Sequence, residues 1–230
     1  MIFKERYEIK DKIGRGRYGE VFKVLDKKDG KFYALKSIVK NPMENVNDFI
    51  KNCKERINIM KSIKSEYIIK LKEYFYDKYY KSYYIIMELC ESDLRKLLNK
   101  YKPKGLPLKL IKKIFLQLND VLKKMLDNKY IYRDLKPENI LIKYKDNEEL
   151  NFDIKIIDFD LSAKNINNSI HTISIVGTKN YYAPEFETFH YNNKCVLWSL
   201  GVILYELYTN KYIFYSEKPE EIEDNRKKTK

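Results

Sequence analysis

Glycine is scarce in this chain, seven in 230 residues, and cysteine scarcer, with three. So few glycines, beside 44% hydrophobic and 14% aromatic residues, exclude a fibrous or disordered chain and leave a globular one. Cys53, Cys90 and Cys195 lie far apart and form no C-x-x-C pair. An odd, scattered set suits a reducing interior better than a disulfide scaffold. The longest apolar stretch, "CVLWSLGVILYELY", is too short to span a membrane and is interrupted by Glu206. It reads as a helix apolar on nearly every side, which means a buried one. The opening "MIFKERYEIKDKIG" mixes charge into its first residues, so no signal peptide is expected and the location expected is intracellular, cytoplasmic or nuclear. No internal repeat is visible.

What the chain has in excess is positive charge, +13 formally. The lysines are nevertheless spread along it. In "PLKLIKKIFLQLNDVLKKML", Ile111, Ile114, Phe115, Leu118, Val121, Leu122 and Met125 recur at helical spacing, with Lys112, Lys113, Lys123 and Lys124 opposite. That is a solvated face on a core helix, and nucleic-acid binding is not expected.

The pattern changes character near residue 90. Before it, "YEIKDKIG", "EVFKVLDKKDGKFYALKSIV" and "YIIKLKEYFYDKYYKSYYIIMEL" alternate apolar and polar residues as strands do, with a hairpin turn at Lys27 to Gly30. One helix, about Val46 to Ile63, interrupts them. Beyond Ser92 helical patterns dominate, except for short strands around a polar turn at Asp146 to Glu149. The expected fold class is α+β, a sheet-rich lobe followed by a helix-rich one with function between them. The closing "EKPEEIEDNRKKTK", residues 217–230, is charged, nearly core-free and expected to fray.

Three segments carry chemistry. "IGRGRYGEV" sets Gly14, Gly16 and Gly19 between strand residues, so backbone N–H groups can approach a phosphate. A strand follows rather than a helix, against a dinucleotide fold, and no G-K-[ST] ends it, which excludes a P-loop. "YALK" then places Lys36 in an apolar strand, where an anion is its natural partner, although a snorkelling surface lysine has the same pattern. In "IYRDLKPENILI", Asp134 can accept a hydroxyl proton, Lys136 can neutralise a phosphoryl oxygen and Asn139 can offer its carbonyl to magnesium. Asp158 of "IIDFDL" supplies a hard anionic oxygen of the kind that such a metal takes.

With these segments in this order, joined by "APE" and "WSLG", the sequence resembles the eukaryotic protein kinases over residues 7 to 210. The resemblance implies a bilobal kinase domain over 7–216: an N-lobe of about 7–87 with one helix, a hinge at 88–92 and a mainly helical C-lobe from 93. It implies ATP and Mg²⁺ as cofactors and a protein substrate with a serine or threonine acceptor. Gly14, Arg15, Gly16, Arg17, Tyr18 and Gly19 would cover the ATP phosphates, flanked by Ile13, and Lys36 would contact the α- and β-phosphates. Val21, Ala34 and Leu141 would sandwich adenine, with Met87 as gatekeeper, Glu88 to Cys90 as hinge and Asp93 at the ribose. Asp134 would orient or deprotonate the acceptor, while Asn139 and Asp158 bind Mg²⁺. Ser174 stands where many relatives are phosphorylated, and Arg133 where that phosphate is received.

Four departures from the family pattern stand beside these matches. The glutamate expected to pair with Lys36 falls on Arg56, with Glu55 one residue early, about 100° around the helix. Either Glu55 turns inward or Lys36 faces an arginine. Asp160 replaces the glycine after "DF". Val196 replaces an aspartate that caps the catalytic loop. The chain also ends soon after "WSLGVILYELY", so the C-lobe is expected to lack its last helices. The helix carrying Trp198, Leu200, Val202, Ile203 and Leu204 would then expose a sizeable patch for a partner protein. These departures leave two readings open: an active serine/threonine kinase, or a pseudokinase that binds nucleotide or a partner with little phosphotransfer.

Overall fold

The computed structural model describes residues 2–3, 6–16, 19–146, 148, 150–164, 170–171, 177–188 and 190–214. The chain divides into two compact units, one of residues 1–58 and 69–90, the other of 59–68 and 91–230.

The first unit is built on a six-stranded antiparallel sheet. Its strands are β1 (Ile2–Phe3), β2 (Tyr7–Gly16), β3 (Gly19–Asp26), β4 (Lys31–Val39), β5 (Leu71–Asp77) and β6 (Ser82–Glu88). They run in the order β1-β2-β3-β4-β6-β5. The β3–β4 turn closes with Gly30 N–H donating to the Asp26 carbonyl at 2.8 Å. Gly30 has φ of 69°, the left-handed value that favours glycine. Helix α1 (Val46–Ser62) starts where the Asn45 side chain accepts from Asn47 N–H at 2.8 Å, a side-chain N-cap. Phe49, Cys53 and Ile57, at i, i+4 spacing, pack on Ile38, Tyr83 and Ile85 of the sheet. The opposite sheet face buries Tyr7, Val24, Leu35, Tyr84 and Ile86. At the foot of the sheet, fully buried Asp26 accepts from Arg6 (2.6 Å), Lys72 (2.5 Å) and the backbone N–H of Lys28 (2.9 Å). These partners, Arg6 first, hold its carboxyl well below the usual carboxylate range.

In the second unit, β7 (Ser92–Asp93), α2 (Leu94–Lys100), α3 (Leu108–Asp127), β8 (Tyr130–Ile131), β9 (Ile140–Tyr144) and β10 (Phe152–Ile156) precede short strands β11 (Ala163–Lys164), β12 (Ile170–His171) and β13 (His190–Tyr191). Helix α4 (Cys195–Thr209) follows. The apolar stripe of α3 lies as its spacing predicts: Ile114, Leu118, Val121, Leu122 and Met125 are buried, and Ile111 and Phe115 partly so. They share one core with Val202, Ile203 and Leu207 of α4. Gly105 is required by close approach, because a Cβ there would sit 1.8 Å from the Tyr208 carbonyl. Asn210, at φ 55°, ends α4, and its side-chain amide donates to the carbonyls of Leu98 and Lys104.

The broad patch expected on α4 is largely closed. Leu200, Val202 and Ile203 are buried, Leu204 is partly buried, and Trp198 stacks on Phe214 with ring centroids 5.5 Å apart. Exposure is confined to a narrower stripe through Leu197, Tyr205 and Tyr208. Val196, where a capping acid was expected, joins the hydrophobic core. Among the described residues no helix is long and apolar enough to cross a membrane.

Candidate active site

The segment from Tyr132 to Asn139 is irregular up to a 3₁₀ turn at Pro137–Asn139, and it is tightly bonded. Its anchor is Asp134, only 8% exposed. One carboxylate oxygen, Oδ2, receives Lys136 Nζ at 2.8 Å and Asn139 Nδ2 at 3.0 Å. The other, Oδ1, accepts from the Thr178 hydroxyl at 2.9 Å. Lys136 Nζ also donates to Thr178 Oγ1 at 3.0 Å, closing a ring of acid, ammonium and hydroxyl. Asn139 Nδ2 donates besides to the Asp134 backbone carbonyl at 2.9 Å, so both its bonds are made by nitrogen. That fixes the amide orientation, with Oδ1 as its acceptor atom.

Asp158 is tied to this loop through the backbone. Ile157 N–H donates to the Asn139 carbonyl at 3.1 Å, which sets Asp158 one residue beyond that contact. Asp158 takes a left-handed conformation, φ 63° and ψ 65°, immediately before the 3₁₀ turn Phe159–Leu161. The conformational demand thus falls on Asp158, since Asp160 is not among the residues with positive φ. A side chain at 160 therefore carries no backbone penalty here. Phe159 is buried edge-on against Tyr132, centroids 5.4 Å apart, and the Tyr132 hydroxyl donates to the Ile157 carbonyl. Burial, then the charges of Asp158 and Asp134, hold that phenol well above its ordinary pKa, so it stays a neutral donor.

Magnesium fits this donor set. It asks for hard oxygens and is commonly held by one or two side-chain oxygens plus substrate phosphates. Asn139 Oδ1 and the Asp158 carboxylate offer two such atoms. Among the described residues no cluster of three or more His, Cys, Asp or Glu forms an all-protein metal cage.

Around the loop, Arg133 donates through Nε to the Leu161 carbonyl and through Nη1 to the Tyr191 hydroxyl at 2.8 Å. Gly177, with φ 104°, passes so close to the Arg133 carbonyl that a Cβ would lie 2.6 Å from it. A second network was not legible in the sequence. Arg95 of α2 donates to Glu138 (2.7 Å), Glu206 (2.5 Å) and the Tyr181 hydroxyl (2.5 Å), and Tyr181 donates to Glu206 at 2.7 Å. Burial opposes the Arg95 charge, but hydrogen bonds to Glu206 and Glu138 raise its pKa above normal. Burial and the Glu206 carboxylate push the Tyr181 phenol well up. Glu206, read as an interruption of an apolar helix, is thus a 2% exposed partner in an ion network. Thr178 was missed as a site member too. Its only signal was position, just after a glycine and six residues before "PE".

In the first unit, Lys36 of β4 lies opposite Val21 of β3 and Ile85 of β6, on the sheet face that α1 covers. Ala34 is buried and pairs with Met87, also buried. Glu88 is half-buried, with its carboxylate accepting from Lys70 N–H at 2.8 Å, and Cys90 is half-buried. Ile13 is exposed. The three glycines differ in kind. A Cβ on Gly19 would meet the Ser37 carbonyl at 1.7 Å, whereas on Gly14 or Gly16 its nearest contacts are an ordinary 3.7 and 3.8 Å. Gly19 is therefore required by packing, and Gly14 and Gly16 leave room beside the backbone. Arg15 is exposed, and Arg17, Tyr18 and Ser174 lie outside the described residues.

One of the two alternatives on α1 can be set aside. Glu55 does not turn inward: it is exposed, while Arg56 is half-buried beside the Cys53–Ile57 stripe. The helix runs unbroken from Val46 to Ser62. Asp93 is the N-cap of α2: its Oδ1 accepts from Lys96 N–H at 2.8 Å and its Oδ2 lies 3.1 Å from Lys96 Nζ. Leu141 is half-buried on β9, opposite Asp93.

The sequence profile of the protein kinase domain matches residues 7–230. Calcium-dependent protein kinase 5 of Plasmodium berghei is 39% identical over 208 residues, covering 87% of this chain and 34% of that protein. Calcium-dependent protein kinase 3 of Plasmodium yoelii yoelii is 35% identical over 219 residues, 95% of this chain and 39% of the relative. Serine/threonine-protein kinase 33 of Bos taurus is 32% identical over 217 residues, 91% of this chain and 43% of the relative. The chain belongs to the eukaryotic protein kinase family. It spans between a third and a half of these relatives' length.

Proposed function

We propose that the chain is an ATP-dependent serine/threonine protein kinase. The observation that carries this reading is the closed cluster of Asp134, Lys136, Asn139 and Thr178. In it, Asp134 Oδ1 faces a hydroxyl already, that of Thr178, in the geometry an acceptor serine or threonine would need. Asp134 orients the incoming hydroxyl and receives its proton as the oxygen bonds to the γ-phosphorus and the bond to the β,γ-bridging oxygen breaks, releasing ADP. Lys136, 2.8 Å from the same carboxylate, balances the charge that grows on the phosphoryl oxygens. Asn139 and Asp158 would hold Mg²⁺, which when bound neutralises phosphate charge. In the sheet unit, Lys36 would position the α- and β-phosphates, with Val21, Ala34 and Met87 beside adenine. Positioning and charge neutralisation supply most of the acceleration in such transfers.

A pseudokinase is the second reading, favoured by the half-buried arginine in place of a glutamate on α1. It predicts thermal stabilisation by ATP without turnover. Incubation with γ-labelled ATP and a mixed serine, threonine and tyrosine peptide pool separates the two. The kinase reading predicts Mg²⁺-dependent phosphoserine and phosphothreonine. Nucleotide binding with no labelled product leaves the pseudokinase.

A further inference from the structure

Arg95 is the second residue of α2, and all three of its guanidinium nitrogens are bonded to different parts of the helical unit. Nε donates to Glu138, Nη1 to Glu206 of α4 and Nη2 to the Tyr181 hydroxyl. The Tyr212 ring lies 5.4 Å from its Cζ and helps to cover it. A staple between α2 and α4 needs only the pair with Glu206. The other two bonds go to the segments that carry the Asp134 cluster.

Each of these two bonds leads to one oxygen of the Asp134 carboxylate. The first arm runs through Glu138, which shares the 3₁₀ turn Pro137–Asn139 with Asn139. Asn139 Nδ2 donates in turn to Asp134 Oδ2 at 3.0 Å. The second arm runs through Tyr181, whose N–H donates to the Thr178 carbonyl at 2.9 Å. The Thr178 hydroxyl then donates to Asp134 Oδ1 at 2.9 Å. Tyr181 is also held by α4, because its carbonyl accepts from the Ser199 hydroxyl at 2.8 Å. The Arg95–Glu138 pair adds little stability, since the Glu138 side chain is 45% exposed and such pairs are screened by solvent. Its contribution is direction: a rigid fork fixes a carboxylate one residue from Asn139. Misplacing a reacting group by about 1 Å costs on the order of 10²-fold in rate, so such direction matters.

We propose that Arg95 is a positioning residue for phosphate transfer, holding the Glu138 turn and the Thr178 segment together so that Asp134 keeps its direction toward the acceptor hydroxyl. This rests on the kinase reading above.

Steady-state transfer to a peptide that the native chain labels, measured beside urea unfolding, tests the proposal. Arg95→Lys keeps a cation against both acids and therefore the fold, but an ammonium cannot present the fork. Its kcat is expected to fall about tenfold, the size of one lost hydrogen bond to a charged group, with KM for ATP unchanged. In a Thr178→Val background one arm is already cut, and the same change should cost only about threefold, a coupling between residues that do not touch. The double variant Arg95→Met with Glu206→Leu removes both charges. Its stability returns toward the native value while its kcat stays at least about tenfold down. A native kcat in Arg95→Lys, a loss fully additive with Thr178→Val, or a kcat that recovers together with stability overturns the positioning role and leaves the kinase reading standing. A native chain that transfers no phosphate overturns both.

Discussion

The Tyr132–Asn139 loop of the helical unit and the α1 face of the sheet unit are built on opposite principles. In the loop, the central acid is tied on both oxygens: Asp134 accepts from three side chains, and Asn139 bridges its carboxylate and its backbone. On the α1 face the decisive feature is one residue on a helix, where Arg56 stands inward and Glu55 outward. A loop cross-linked by several side chains holds its acid from more than one direction, whereas a face assembled from strands and a helix changes its charge with a single side chain.

That contrast can be broken or sharpened. The largest stability effect is expected where the helical unit buries charge. Glu206→Leu leaves Arg95 without its most buried partner, at a cost of about 3–5 kcal/mol in urea unfolding. The double variant with Arg95→Met recovers much of this; no recovery would show that packing, not charge, holds the site together. In the sheet unit, Asp26→Asn weakens the pairs with Arg6 and Lys72 and is expected to cost on the order of 3 kcal/mol at pH 7. The Asp26 pKa is lowered on folding, so its stabilisation is complete above the unfolded value of about 3.9. It is lost as pH falls from there through the folded value. The gap between native and variant melting temperatures should therefore close between about pH 4 and the acid limit of folding, and a constant gap would contradict the assignment.

A smaller effect is expected inside the loop. Thr178→Val removes the hydroxyl shared by Asp134 and Lys136, and should slow phosphotransfer about tenfold, one hydrogen bond to a charged group, with KM for ATP unchanged. A rise in KM alone would make Thr178 a binding residue instead. The smallest belongs to Glu55→Ala, a solvent-facing change expected within about 0.5 kcal/mol and without effect on nucleotide affinity.

The sequence revealed most where function is written in consecutive residues. "YRDLKPEN" and "IIDFD" pack several chemical roles into short spans, and the strand and helix patterns around them follow local periodicity, so sheet, α1 and α3 could be located directly. Thr178, Arg95 and Tyr181 were not legible as site members, because they meet Asp134 and Glu206 only through the tertiary fold, over separations of 44, 111 and 25 residues. Glu206 misled for the same reason: in an apolar run a lone acid looks like an interruption until its arginine arrives from another helix. The exposure of α4 was overestimated because the stacking of Phe214 on Trp198 has no periodic signature. The two acids of "IIDFDL" separate only in three dimensions, where Asp158 takes the left-handed backbone and Asp160 an unstrained turn.

The central claim is that the Asp134 cluster is catalytically competent as it stands. Its most direct test is the single-turnover rate of phosphate transfer to a serine or threonine peptide, at saturating ATP and Mg²⁺, for the native chain and Asp134→Asn. The account predicts a measurable native rate that falls by a factor on the order of 10² or more in the variant, with ATP affinity unchanged. Equal rates, or no native rate beside intact ATP binding, would contradict it.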